Sequence, residues 1–274
     1  MPSEVIRILS DLHFGDRGSR IQSLADIRPL FEGADALVLN GDTIDTRPSR
    51  VPEYSVALRA ETQAFFAQSA PTTTFLTGNH DPDISPLHTL DLAAGRVFLT
   101  HGDILFEDLV PWGQDAPTLR RRIAEQLEIL TPAGREDLDT RMGVYRRVAA
   151  SIPQRHQSER NTLRYAAGYV ADTVWPPLRF LHILRAWRRA PGLAAALARR
   201  HRPKAGVVVI GHIHRPGFWR LPNGLLVINT GSFCRPLGAW MVDVHPDRLT
   251  VRAISQSGRE FRLAGVVAEF ALPP

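Results

Sequence analysis

Six short aliphatic runs, each stopping at a polar or glycine-bearing motif, constrain this 274-residue chain more than any other feature. They are VIRILSD (5 to 11), ALVLNGD (36 to 42), TTFLTGN (73 to 79), RVFLTHGD (96 to 103), GVVVIGH (206 to 212) and LLVINTGS (225 to 232). Runs this short and this rich in β-branched residues read as buried strands. Two helical patterns, IQSLADIRPLFEGA and SVALRAETQAFFAQSA, separate the first three. The resulting βαβαβ order predicts an α/β sheet. Toward the C-terminus, GAWMVDVHPDRLTVRAISQSG suggests instead a hairpin turning at His245, Pro246 and Asp247. A mixed sheet or a pair of packed sheets is therefore expected.

After Asp103 the rhythm changes, and from about residue 104 to 204 the sequence reads as helical. TLRRRIAEQLEIL, REDLDTRMGVYRRVAASI, ERNTLRYAAGYVADTVW and LRFLHILRAWRRA each alternate apolar and basic positions at near-helical spacing, with breaks expected at Pro132, Pro153, Pro176, Pro177 and Pro191. A structureless loop of that length is improbable, so the segment is expected to be an inserted helical cap, with residues 1–103 and 205–274 forming one catalytic domain. The formal charge of +5 is concentrated there, since residues 118–204 carry 18 basic against 7 acidic side chains. Such a segment is either an anion-binding or membrane-facing surface or a solvated helix face. Val144, Val148, Trp175, Phe180, Leu184 and Trp187 give it apolar surface, most simply explained by packing within the cap.

No apolar run approaches the roughly 18 residues that span a bilayer. The opening MPSEVIRILSD has no long apolar stretch of the secretory kind. Cys234 is the only cysteine, which excludes an intramolecular disulfide. A cytoplasmic protein is expected, with the Arg-rich cap as the surface for a peripheral contact with the inner membrane.

The chemistry sits where the strands stop. Asp11-Leu-His13, Gly41-Asp42, Gly78-Asn79-His80-Asp81, His101-Gly102-Asp103 and Gly211-His212-Ile-His214 each follow an aliphatic run, and they hold five of the ten histidines. Loops at the carboxyl ends of strands in an α/β sheet converge on one crevice. In an extended segment, residues two apart face the same way, so Asp11 with His13 and His212 with His214 are expected to present paired ligands. Imidazole, carboxylate and amide oxygen together suit Mn, Fe, Zn, Co or Ni, and the absence of thiolate argues against a structural zinc site.

In that pattern the sequence resembles the calcineurin-like metallophosphoesterase superfamily, whose D-x-H, G-D, G-N-H-D, H and G-H-x-H motifs occur here complete and in order. The resemblance spans residues 1–103 and about 206–232. It implies two packed mixed β-sheets flanked by helices and two divalent cations, Mn foremost. Asp11, His13, Asp42 and His214 would hold one cation and Asp42, Asn79, His101 and His212 the other, with Asp42 bridging. It further implies hydrolysis of a phosphate ester or anhydride by a hydroxide shared between the cations. His80 would assist the leaving group, oriented by Asp81 or Asp45. The Asn229-Thr230-Gly231-Ser232 turn also resembles a family feature near the site.

Within the superfamily, DLHFGDR (11 to 17), GDTID (41 to 45) and the helical insertion look like the branch that includes the UDP-2,3-diacylglucosamine pyrophosphohydrolases. Those enzymes carry Arg where this chain has His80. An amphiphilic nucleotide or lipid-linked substrate is the expectation, with Arg17 and Arg215 as binding residues. The alternative is a nuclease of the same superfamily whose Arg-rich helices follow a phosphate backbone. The cap lacks the regular interleaving of aromatic and basic residues that a stacking platform would need.

Overall fold

In a computed structural model, which describes residues 4–49, 51–154, 163, 164, 168 and 178–272, the aliphatic runs become two packed mixed sheets. The first contains β1 (Ile6–Leu9), β2 (Ala36–Asn40), β3 (Thr72–Leu76), β9 (Trp240–Val244), β10 (Arg248–Ser257) and β11 (Glu260–Ala271), in the order β11-β10-β9-β1-β2-β3. The second contains β4 (Thr89–Leu92), β5 (Val97–Thr100), β6 (Val207–Ile210), β7 (Gly217–Arg220) and β8 (Leu226–Asn229), in the order β4-β5-β6-β8-β7. In each sheet three strands run parallel, β1, β2 and β3 in the first and β5, β6 and β8 in the second. Antiparallel strands β9, β10 and β11 extend the first sheet on one side, and antiparallel β4 and β7 form both edges of the second.

Side chains on a strand alternate between faces, and here that alternation feeds three separate apolar layers. Ile8 and Val38 from the first sheet meet Val97, Leu99, Val207, Val209, Leu226 and Ile228 from the second, which makes the layer between the sheets. Their neighbours Leu9, Leu37 and Leu39 face outward onto a 3-10 helix (Leu24–Phe31) and α1 (Pro52–Ser69). Phe98, Val208, Ile210 and Val227 face outward on the opposite side. Both faces of the central strands are thus buried, which is why their sequences are continuously aliphatic rather than alternating.

Two expectations need correcting. The first helical pattern forms a 3-10 helix, because Pro29 lies inside it and lacks the amide an α-helix would use. Its start is closed by a capping box between Ser23 and Asp26. Pro191 does not break a helix either. Between β5 and β6 lie α2 (Ala116–Glu128), α3 (Pro132–Glu136), α4 (Leu138–Ala150) and α5 (Leu178–His201), and Pro191 sits within α5. Ala186, Ala190, Ala194, Ala195 and Ala198 bury a small-residue face of that helix in the same apolar cluster as Phe98, Val208 and Val227, so packing outweighs the lost backbone hydrogen bond. The pattern ERNTLRYAAGYVADTVW falls largely outside the described residues. Strands β4 and β7 had no sequence signal, being four-residue edge strands with half-exposed side chains.

One buried ion pair ties the first sheet together. Arg7 on β1 donates two hydrogen bonds to Asp243 on β9, at 2.7 and 2.9 Å, and two more to the carbonyls of Leu30 and Glu32. Removing one partner of such a pair leaves an uncompensated buried charge and costs about 3–5 kcal/mol. Arg7→Met should therefore lower the urea midpoint sharply, and Arg7→Met with Asp243→Leu should recover part of the loss. Equal midpoints for the single variant and wild type would show that the pair does not brace the sheet.

Candidate metal centre

All six parallel strands end at one edge of the molecule, and the backbone there is unusual. Among the described residues eight non-glycine residues have positive φ, and five of them are Asp11, His13, Asp42, His212 and His214, at φ 53, 47, 52, 66 and 54°. The left-handed region costs an L-residue energy and is tolerated mainly where function needs it. This corrects the expectation that paired ligands project from extended strands. Strands β1 and β6 stop at Leu9 and Ile210, and each pair of ligands is presented from left-handed turns beyond the strand end.

Bare backbone makes room for the carboxylates. A Cβ at Gly78 would lie 2.2 Å from an Asp42 oxygen and one at Gly211 2.2 Å from an Asp11 oxygen, so any side chain at either position displaces a metal-site carboxylate. Asp81 fixes the Asp42 loop by accepting from the amides of Asp42, Thr43 and Gly78 at 2.9, 2.7 and 2.7 Å. The Asn229–Ser232 turn braces the other side. Asn229 donates to the Gly211 carbonyl, Thr230 shares a hydrogen bond with Ser10, and Ser232 donates to the Asp11 carbonyl.

Two groups of donors result. Asp11, His13, Asp42 and His214 present one set of ligand atoms within 4.8 Å of one another, and Asp42, His101 and His212 present a second. Asp42 belongs to both. The His13 and His214 Nε2 atoms stand 3.1 Å apart, His214 Nε2 lies 3.2 Å from Asp11 Oδ1, and His101 Nε2 lies 3.2 Å from Asp42 Oδ2. Backbone carbonyls choose the free ring nitrogen. His101 Nδ1 faces the Asn40 carbonyl at 3.0 Å and His212 Nε2 faces the Leu109 carbonyl at 2.8 Å, leaving His101 Nε2 and His212 Nδ1 for a cation. His101 Nε2 and Asn79 Oδ1 are buried polar atoms without a hydrogen-bond partner in a molecule that otherwise satisfies most such groups, as donors aimed at a cation would be. The residues fit two divalent cations bridged by one carboxylate.

Electrostatics prepares the same atoms. Burial above all pushes His13 down to about 3, and burial together with His101 pushes His212 down to about 4, so both rings are neutral and able to ligate. Burial opposes charge on Asp42 too, but His101 and His80 outweigh it and hold the carboxyl well below its usual range. His101 is opposite: although burial disfavours its charge, the Asp42 carboxylate raises it to about 10.

Beside the cations' place sits a second cluster. His80 lines the cleft with His13, Asn79 and His214, and its Nδ1 lies 3.0 Å from Asp45 Oδ2 and 2.9 Å from Arg47 Nη2. Burial would raise the Asp45 carboxyl, but Arg47 and then His80 hold it below the ordinary carboxylate range. Of the two carboxylates expected to orient His80, Asp45 does so; Asp81 is turned onto three backbone amides instead. Arg17 lines the cleft. The guanidinium of Arg215, the other residue expected to bind substrate, lies over the rings of Trp187 and Trp219 at 5.4 and 5.8 Å. Arg47 was missed, standing two residues past Asp45 and just beyond the GDTID motif. Arg146 was missed as well. It reaches from α4 to pair with Asp103 while donating to Thr77 at 2.7 Å, so it joins the His101 and Asn79 loops from below. Its helix is remote in sequence from both, and no local pattern marks it.

The sequence profile of calcineurin-like phosphoesterases matches residues 5–216 of the chain, and the chain belongs to that family. No curated protein matches it by sequence. Similar solved structures include a dimetal phosphatase from Danio rerio, 13% identical over 99% of each chain with a TM-score of 0.48. Vacuolar Protein Sorting 29 from Cryptosporidium parvum is 12% identical over 98% of each chain with a TM-score of 0.45. A conserved uncharacterized protein from Streptococcus pneumoniae TIGR4 is 14% identical over 99% of each chain with a TM-score of 0.42. Likeness at this level carries no argument about activity.

Because His101 holds its proton up to about 10, a cation entering the Asp42–His101–His212 group must displace that proton at neutral pH. Mn²⁺ titrated into metal-free protein should release protons into a weakly buffered solution, and affinity should rise between about pH 6 and pH 8. Uptake without proton release, at an affinity independent of pH, would show that His101 is already neutral.

Proposed function

We propose that the protein is a dinuclear metallohydrolase that cleaves a phosphate ester or phosphoanhydride in an amphiphilic substrate. The observation that carries this reading is the single Asp42 carboxylate shared by two convergent donor groups. Its two oxygens would let the two groups hold a pair of divalent cations, the arrangement two-metal hydrolysis uses. Cations so held would acidify a water and offset charge on the phosphoryl oxygens. The chain's own residues do the rest. Asp11, His13, Asp42, Asn79, His101, His212 and His214 hold the ions. His80, with its Nδ1 directed at Asp45 and Arg47, is placed to protonate the leaving oxygen.

The cleft supports the substrate class. Its volume of about 790 Å³ is within the range that takes a small-molecule ligand. One part of its wall is arginine-rich, with Arg17, Arg20, Arg47 and Arg235, while Leu109, Val110, Trp112, Leu119, Ile152 and Pro153 make another part apolar. The apolar wall comes from residues 104–204, which we assign as an insertion in a catalytic unit of residues 1–103 and 205–274. A nucleotide or lipid-linked compound, as in the UDP-2,3-diacylglucosamine pyrophosphohydrolase-like branch, matches both walls. His80 in place of that branch's Arg argues for a different member of the class.

Asp42→Asn should lose at least one equivalent of metal and nearly all activity. His80→Ala should retain its metal while turnover falls about a hundredfold or more, with a smaller loss for nitrophenyl esters, whose leaving groups need little protonation. Full activity of Asp42→Asn would end the dinuclear reading, and equal losses for good and poor leaving groups would remove the acid role of His80.

A peripheral membrane contact belongs to the same proposal. None of the described helices is long and apolar enough to cross a bilayer. The first turns of α5 expose Phe180, Leu181 and Leu184, and Arg185, Arg188 and Arg189 are exposed farther along the same helix. Anionic vesicles should therefore sediment the protein in a salt-sensitive way. Phe180→Ser with Leu184→Ser should weaken that binding, and unchanged sedimentation would exclude this face.

A further inference from the structure

Two arginines that the proposed reaction does not use stand together in the cleft wall. Arg20 and Arg235 both line it. Their segments are coupled to the metal centre by backbone hydrogen bonds, the Phe233 amide donating to the Asp11 carbonyl at 3.1 Å and the Arg20 amide donating to the Phe233 carbonyl at 3.1 Å. A bridge between Ser19 and Cys234 continues the pairing. The Arg20 side chain is held in place as well, since its Nε donates to the Phe233 carbonyl at 3.2 Å and its guanidinium lies 5.7 Å from the Phe261 ring centre. The Arg20 guanidinium is therefore held on the segment that pairs with the Asp11 loop, and Arg235 lies two residues beyond Phe233 in that pairing.

Their charges are uncompensated. Among the described residues no carboxylate pairs with either arginine, and Arg20 is held below its ordinary pKa first by burial and then by the positive charge of Arg235. Two neighbouring like charges repel each other, and an anion between them relieves that repulsion. Guanidinium forks match phosphate oxygens in geometry and in charge.

We propose that Arg20 and Arg235 form a second anion subsite of the cleft, which binds a phosphoryl group other than the one cleaved. The substrate class then narrows to compounds carrying at least two phosphoryl groups. The narrowing rests on the phosphoesterase reading of the metal centre, whereas the anion subsite stands independently of it.

Binding calorimetry with Mn²⁺-loaded protein tests the subsite with two probe pairs, ADP against AMP and fructose 1,6-bisphosphate against fructose 6-phosphate. Wild type should prefer the doubly phosphorylated member of at least one pair by about tenfold or more. In Arg20→Gln with Arg235→Gln that preference should vanish. Arg235 is exposed, so Arg235→Gln alone should fold normally and reduce the preference if the double variant does not fold. A wild type with no preference in either pair overturns the subsite, as does a preference that survives in the variants. Turnover of bis(p-nitrophenyl) phosphate, p-nitrophenyl phosphate and ADP by wild type is measured alongside. A protein that prefers the doubly phosphorylated ligands but leaves all three intact keeps the subsite and loses the phosphoesterase reading.

Discussion

The position of the Asp42 carboxylate governs the arrangement of the whole centre. It is 1% exposed, it belongs to both donor groups, and it closes β2, an inner strand of the first sheet. A carboxylate buried so deeply is tolerable only with compensating charge and hydrogen bonds. Here the His80 amide donates to Oδ1 at 2.8 Å, and His101 faces Oδ2 from the second sheet. Gly78 exists as glycine because the carboxylate occupies the space a side chain would take. The sheets meet at this point through Asn40, whose side chain donates to the Thr100 carbonyl at 3.0 Å. The centre is therefore a seam between two sheets, and neither sheet contains it alone.

That seam is braced from both flanks by buried ion pairs. Arg7 and Asp243 lock β1 to β9 behind Asp11, while Arg146 and Asp103 clamp the His101 and Asn79 loops from α4. The second clamp makes the helical segment part of the metal centre's support. The same helices share an apolar cluster with the outer face of β5, β6 and β8. One segment thus covers a sheet, steadies two ligand loops and supplies the apolar wall of the cleft.

The opposite wall has a different physical character. Asp45, Arg47 and His80 form a connected group whose charges offset one another, whereas Arg20 and Arg235 have no such partner. Positive charge left unbalanced in the wall of a cleft draws anionic ligands toward it. The cleft is thus lined by both apolar and cationic side chains.

Much of this was legible in the chain. Strands buried on both faces must be continuously aliphatic, and functional loops at their carboxyl ends carry polar residues that a generic turn would not need; so β1, β2, β5, β6, β8 and the ligand types could be read directly, while β3, an edge strand of sequence TTTFL, was legible from its β-branched residues. Short edge strands such as β4 and β7 bury too little to leave a pattern. Pro191 could not be seen to continue a helix, because the alanine face that holds α5 together acts only against the sheet. The left-handed turns at Asp11 and His212, the choice of Asp45 over Asp81 beside His80, the stacking of Arg215 between two indoles and the pairing of Arg146 with Asp103 all depend on contacts between segments distant in sequence. Local residue types set which donors were available. Only the packing of one sheet against the other decided which of them share a centre and which arginines face the cleft, because those distances are properties of the folded chain and of no segment within it.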